Sequence, residues 1–419
     1  MDEAAIPQAI ELLVGLLGLA ALVAVLARPL RVPYTVALVV AGLLVGIGAS
    51  VAGFPAVEVS PEVVLLVLLP GLVFEAAYRL RIAELRRWFG GLALLAVPGV
   101  LISALVVAVL LHVATGLRLD LAFIVGAMVS ATDPAAVVAT FKRVRVPPAL
   151  STMVDGESLL NDGTGLVLFA IAVGAIHAPI GPGAAVVTFV GTVALSVAIG
   201  LVTGFLAGRL IGLVDDHLVE LTISVILAYG SYVLADQVHL SGVIATVTAA
   251  IVLGNLGPGR ALSETGADAI DTVWEFFAYL LTAVVFLLVG LAIPPARLLD
   301  SIVPIAWAIV GILVGRAVVV YLILGGASRL AVRPGLAEHL PSAWLHVMFW
   351  AGLRGAVAVA MALSLPADIP QRGSLQEITF GVVLFTLLVQ GTTVGQVIDR
   401  TIHREAVDPE RPGTADTPA

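Results

Sequence analysis

Between Ser130 and Gly165 the chain places charge in apolar surroundings. Asp133 stands before Pro134 inside one apolar run, and Glu157, Ser158, Asn161 and Asp162 stand inside the next. A carboxylate at bilayer depth costs roughly 2.5–3.5 kcal/mol on insertion scales, so its default reading is an ion route or ion-binding site. The spacing i, i+1, i+4, i+5 puts the last four residues on one helical stripe. Two carboxylates, an amide and a hydroxyl facing one space suit a hard cation. The bland alternative is a buried polar network that only locks helices together. It competes weakly at Asp162 and strongly at Asp133, because Asp before Pro is also a good helix cap.

The elements that position these residues must lie in a membrane. The 419 residues are 60% hydrophobic and 12% charged, with net charge −8 and mean hydropathy +1.11. A soluble domain is nearer a quarter charged. The composition predicts a polytopic all-α membrane protein whose partners are membrane lipids, and it gives nucleic-acid binding no support. Cysteine is absent, so no disulfide or thiolate site is available. The acidic start, Met1-Asp2-Glu3, lacks the positive charge of a secretory signal, so the first apolar run is expected to be a span.

Stretches able to cross a roughly 30 Å core fall at 8–27, 32–50, 60–78, 89–112, 119–141, 150–177, 184–208, 217–236, 240–254, 268–292, 302–326, 343–365 and 375–398. None alternates with period two, which argues against a β-barrel. Numbering the loops alternately sorts the basic residues. Arg28, Arg31, Arg79, Arg81, Arg86, Arg87, Lys142, Arg143, Arg145, Arg209, Arg260, Arg329, Arg333, Arg400, Arg404 and Arg411 fall on one side. Only Arg118, Arg297 and Arg372 fall on the other, and Arg316 and Arg354 lie inside spans. By the positive-inside rule the N-terminus is outside and the C-terminus cytoplasmic.

About thirteen spans allow an internal symmetry. The first six and the last six would form two inverted repeats, with the seventh span as linker, a common plan for secondary transporters. The fifth span of one unit is interrupted at Thr132-Asp133-Pro134, and the fifth of the other at Gly352-Leu353-Arg354-Gly355. Pro134 cannot bond the carbonyl of Ser130, so the first helix opens there. Such broken backbone is tolerated only where it lines a cavity or protein interior. Glu157 and Arg316 have matching depths at 1.5 Å per residue, which predicts a buried ion pair, since a lone buried charge is far costlier. Arg354, the broken-helix charge, would balance carbonyl ends or contact Asp133. Glu75 stands near a cytoplasmic helix end, as an ion-path carboxylate or merely a snorkelling one.

The segments FEAAYRLR, SATDPAAVVA, GESLLNDGTG and GLRGAVAVAMALSLP resemble the monovalent cation:proton antiporters of the NhaP/NHE type, and the hydrophobic pattern follows that family over nearly the whole chain. The resemblance implies an NhaA-like antiporter fold with crossed broken helices. It also implies a homodimer in the plasma (inner) membrane, with no cofactor. A transport core at roughly 60–177 and 302–398 would work against a dimerisation part at roughly 1–50 and 184–292. By resemblance Asp162 is the cation- and proton-binding aspartate and Asn161 its partner, while Ser158, Thr132 and Asp133 form the surrounding shell. Na⁺ is then expected at Asp162, Ser158 and Thr132, Glu157–Arg316 is the family's buried ion pair, and Glu75 lies by the ion path. Asn before the aspartate implies electroneutral exchange of one Na⁺ (or Li⁺) for one H⁺. K⁺/H⁺ exchange and, less favoured, a cation channel remain the alternatives, and no catalysis is expected. Residues 399–419 are expected to form a short disordered cytoplasmic tail.

Overall fold

Apolar side chains cover nearly every face of these segments, so helices form because each satisfies its own backbone hydrogen bonds inside lipid. A computed structural model describes residues 5–30, 32–53, 59–144, 146–256, 263–293, 295–330 and 340–407, and the described residues contain helices and no strand. In chain order the helices are α1 (Ala5–Leu30), α2 (Tyr34–Val51), α3 (Leu69–Tyr78), α4 (Ile82–Leu94), α5 (Val100–Thr115), α6 (Leu119–Met128), α7 (Ala135–Val144) and α8 (Pro148–His177). They continue with α9 (Pro182–Ile211), α10 (His217–Gln237), α11 (Gly242–Leu256), α12 (Glu264–Ala292), α13 (Pro295–Leu298) and α14 (Ile302–Ala317). The last are α15 (Gly325–Leu330), α16 (Ser342–Trp350), α17 (Ala356–Leu363), α18 (Arg372–Phe385) and α19 (Gly391–Val407).

Each apolar stretch expected from sequence falls on a helix or a chain of helices. Eight are long and apolar enough to cross a membrane by length and composition, and four are shorter apolar helices. The stretch at 343–365 is the broken pair α16–α17, as the stretch at 119–141 is the broken pair α6–α7. The C-terminal boundary needs correction. Helix α19 runs to Val407, so 399–407 are helical rather than part of a disordered tail. Val394 and Ile398 are fully buried there and anchor an amphipathic helix that continues past the apolar stretch. Residues 408–419 lie outside the described residues, as do Arg31, Arg145, Arg260, Arg333 and Arg411 of the orientation argument.

Four segments are wound more loosely, as π-helix: Val63–Leu68, Leu95–Gly99, Val318–Leu324 and Thr386–Gln390. Leu95–Gly99 contains Pro98 and joins α4 to α5. It packs on Val318–Leu324, the join between α14 and α15. Such π-turns free backbone carbonyls and often mark functional positions.

Small residues set the closest approaches. Gly42 and Gly290 let α2 and α12 meet backbone to backbone. Gly200, Gly204 and Gly208 of α9 face Ala245, Ala249 and Leu256 of α11, so this stripe packs within the protomer. Gly311 and Gly315 of α14 lie against Val107 and Ser103 of α5. Helix α8 is then enclosed by α3, α4, α6, α9 and α11. This burial holds its polar stripe away from solvent.

Candidate ion-binding site

Two interruptions meet beside the middle of α8. The α6–α7 break spans 129–134 and the α16–α17 break spans 351–355. The backbone N–H of Asp133 donates to the carbonyl of Leu353 at 2.8 Å, which ties one break to the other. The Asp133 carboxylate accepts from Ala135 N at 3.0 Å and from Ala356 N at 3.4 Å, so one side chain caps the N-termini of both α7 and α17. Two positive helix ends thus converge on one negative charge. Gly355 is required by this approach, since a Cβ there would land on the Asp133 carboxylate.

The opposite ends meet arginines. Arg354 Nε donates to Val129 O at 2.7 Å, at the end of α6, and Nη1 donates to Gly352 O, just past α16. Of its two expected roles Arg354 therefore takes the carbonyl-balancing one, and no hydrogen bond joins it to Asp133 among the described residues. Thr386, in a π-helical turn, accepts from Arg354 N at 3.1 Å and so pins the second break. Arg316 donates from Nε and Nη2 to Met348 O at 3.2 and 2.7 Å, in the last turn of α16.

Arg316 also grips Glu157 at both carboxylate oxygens, with Nη2 to Oε2 at 2.9 Å and Nη1 to Oε1. Glu157 is 2% exposed and Arg316 6%. Asn161 Nδ2 donates to Glu157 Oε1 and to Thr132 Oγ1, each at 3.3 Å. Thr132 Oγ1 lies 3.1 Å from Ser158 Oγ. The hydroxyls expected to ligate a cation are thus side by side, and Asn161 links them to the ion pair.

Asp162 stands apart from this network. It lies halfway along α8, is 8% exposed, and accepts no hydrogen bond from the described residues. Asp133 is the charged neighbour that acts on it. A buried carboxylate without a donor, next to the half-buried carboxylate of Asp133, leaves room in the charge balance for a bound cation or proton. Glu75 is not in this group. It is 18% exposed and pairs with Arg79 at 2.6 Å on its own helix, while Arg79 also reaches Glu275 at 3.7 Å.

Several structural residues have no sequence signal of their own. Thr386 is one of many threonines, and the carbonyl partners of the arginines depend on chain crossing. Arg372 counts in the sequence only as a loop charge. In the structure its guanidinium donates to Leu365 O at 2.7 Å and Leu363 O at 3.2 Å, so it caps the far end of α17. Beside it, His177 Nε2 lies 2.6 Å from Asp368 Oδ2, joining the end of α8 to the loop after α17. That hydrogen bond holds the Asp368 carboxyl below the usual carboxylate range.

Residues 17–400 match the family model described as sodium/hydrogen exchanger, transmembrane. The chain belongs to this family. All the residues that form the site fall inside the matched span. Among similar proteins, the Na(+)/H(+) antiporter ApNhaP of Aphanothece halophytica is 36% identical over 375 residues, covering 88% of this chain and 70% of its own. The Na(+)/H(+) antiporter NhaH of Halobacillus aidingensis is 34% identical over 399 residues, covering 92% of this chain and 96% of its own. The solved structure of the sodium proton antiporter MjNhaP1 from Methanocaldococcus jannaschii at pH 8 superposes with a TM-score of 0.78. It covers 95% of this chain and 99% of its own at 21% identity, which shows a shared fold. In this exchanger-family fold the broken helices, the ion pair and Asp162 sit in one buried centre.

Proposed function

We propose that the protein exchanges Na⁺ for H⁺ across the membrane by alternating access, with both ions competing for Asp162. The observation that carries this is the buried Asp162 carboxylate with no hydrogen-bond donor among the described residues, under the charge of Asp133 and one helical turn along α8 from Ser158. The other acidic groups of the centre are engaged: Asp133 caps two helices and Glu157 is held by Arg316. One available carboxylate binds either one proton or one sodium ion, so each loaded state carries the same charge. This count supports electroneutral one-for-one exchange. Oxygen ligands without a preformed metal cage fit a weakly held monovalent ion.

In this reading the core at 60–177 and 302–398 moves against the part at 1–50 and 184–292. The chain works as a homodimer in the plasma membrane, with its N-terminus outside and C-terminus in the cytoplasm. Cytoplasmic Na⁺ (or Li⁺) is the exported ion. The names of the similar antiporters support the substrate, and the arginine asymmetry supports the orientation.

The test is Na⁺-driven proton movement in proteoliposomes with the membrane potential clamped. Exchange that proceeds at a rate independent of the potential is expected. Asp162→Asn is expected to abolish exchange while leaving the folded protein intact. A rate that follows the potential sinks the one-for-one count, and exchange surviving in Asp162→Asn removes Asp162 from its role.

A further inference from the structure

A small cavity lies against Asn161 and Thr132 on the side of the buried ion pair. It measures about 10 Å³ and its polar lining includes Ser103, Thr132, Asn161, Glu157, Arg316 and Arg354, with the loosened Leu95–Gly99 turn as one wall. Asp162 does not line it. Three polar groups around it have no partner among the described residues. Asn161 Oδ1 is fully enclosed without a hydrogen bond. Ser103 is 7% exposed and its hydroxyl makes none. Arg354 uses Nε and Nη1 on carbonyls and leaves Nη2 unbonded.

The volume corresponds to about one water molecule, and two to four polar neighbours are what a buried water needs. Charge selects against the other occupants. Two arginines face one carboxylate, a positive balance that repels Na⁺. Chloride is larger than water and does not fit. We propose that this cavity binds a single water molecule, accepting from Arg354 and donating to Asn161 Oδ1 and Ser103 Oγ, and that Ser103 is a positioning residue acting through it.

The water gives the Asn161 amide one orientation. With Oδ1 held by the water, Nδ2 faces Glu157 and Thr132, and a flipped amide would set Oδ1 against the Glu157 carboxylate. Thr132 in turn keeps its hydroxyl at Ser158. Water, Asn161 and Thr132 thus form a line from Ser103 on α5 to the hydroxyls that face the ion. The effect on exchange rests on the reading of Asp162 as the exchange site; the occupancy of the cavity does not.

A structure at a resolution that shows ordered water tests the site, determined in sodium-free buffer and again with Tl⁺. Density within hydrogen-bond reach of Ser103 Oγ and Asn161 Oδ1 is expected in both, with no anomalous thallium signal in the cavity. An empty cavity, or a thallium peak there, overturns the assignment. In transport, Ser103→Ala is expected to raise the KM for Na⁺ about three- to tenfold, the range for one lost hydrogen bond, at unchanged Vmax. Ser103→Thr, which keeps the hydroxyl, is expected to retain the wild-type KM. An unchanged KM in Ser103→Ala overturns the positioning role. Absence of Na⁺/H⁺ exchange in the wild type would instead overturn the proposed function and leave the cavity density standing.

Discussion

Glu157 and Asp162, five residues apart on one helix, have opposite surroundings. Glu157 meets a guanidinium edge on and an amide from Asn161, whereas no donor among the described residues reaches Asp162. The first pattern fixes a charge and the second leaves one for exchange. Burying both members of an ion pair is costly, and removing one partner is worse than removing both. Arg316→Met is therefore expected to destabilise the protein by about 3–5 kcal/mol, because it strands Glu157. The double variant Glu157→Leu/Arg316→Met is expected to recover much of that stability. Thermal unfolding in detergent of the two singles and the double checks this. A double variant no more stable than Arg316→Met would mean that Arg316 acts mainly through Met348 O rather than through Glu157. The charges themselves were legible in the sequence, since Glu157, Asn161, Asp162 and Arg316 are conspicuous in an apolar chain and their depths match by helical rise. Ser103 was not legible, because a serine in an apolar helix carries no mark until the cavity beside it is seen.

At the scale of the elements, α17 is a half-helix of eight residues held at both ends by charge. Asp133 caps its N-terminus from the other break, and Arg372 caps its C-terminus from the start of α18. Isolated helices this short are marginal, so its position depends on those caps and on packing. Gly355→Ala drives a Cβ into the Asp133 carboxylate and separates the two breaks. Exchange is expected to fall below detection while the protein still purifies as a single species on size exclusion; near-normal exchange would show that the breaks need not touch. Arg372→Ala is expected to be milder, removing cap and dipole energies of about 0.3–1 kcal/mol. Its expected signature is a several-fold loss of exchange rate, partly restored by Arg372→Lys, which offers one donor site where arginine offers a fork. The breaks were readable from Pro134 and from Gly352-Leu353-Arg354-Gly355, because helix breakers and charge coincide there. The carbonyl partners were not. Val129 O and Arg354 Nε are 225 residues apart in sequence, and only the crossing of the chains brings them together. The π-turns were also silent, apart from Pro98, since the same apolar residues serve either winding.

At the scale of the whole molecule, the sequence reading divides the chain into a core and a part it moves against. The close glycine contacts fall on both sides of that division. Gly42 with Gly290, and Gly200 and Gly204 with α11, join helices of the proposed static part. Gly311 and Gly315 join α14 to α5 within the proposed core. Between the two parts, Gly163 of α8 faces Ile244 of α11 one residue beyond Asp162. Alternating access requires this last contact to change and the others to persist. The chain contains no cysteine, so engineered pairs report without background. A Cβ built at Gly163 lies 3.7 Å from that of Ile244, and one built at Gly311 lies 3.5 Å from that of Val107. Both separations suit a disulfide, whose Cβ atoms are about 3.5–4.5 Å apart. Gly163→Cys/Ile244→Cys is expected to lose exchange on oxidation and regain it on reduction, because the bond clamps core to static part. Val107→Cys/Gly311→Cys is expected to keep exchange in both states, because its bond lies within one moving body. Exchange measured in proteoliposomes before and after oxidant, with crosslinking followed by mass spectrometry, separates the outcomes. If the oxidised α8–α11 pair still turns over, the two parts do not move against each other at this seam. If the oxidised α5–α14 pair stops exchange, the proposed core is itself divided, and the moving boundary runs between α5 and α14.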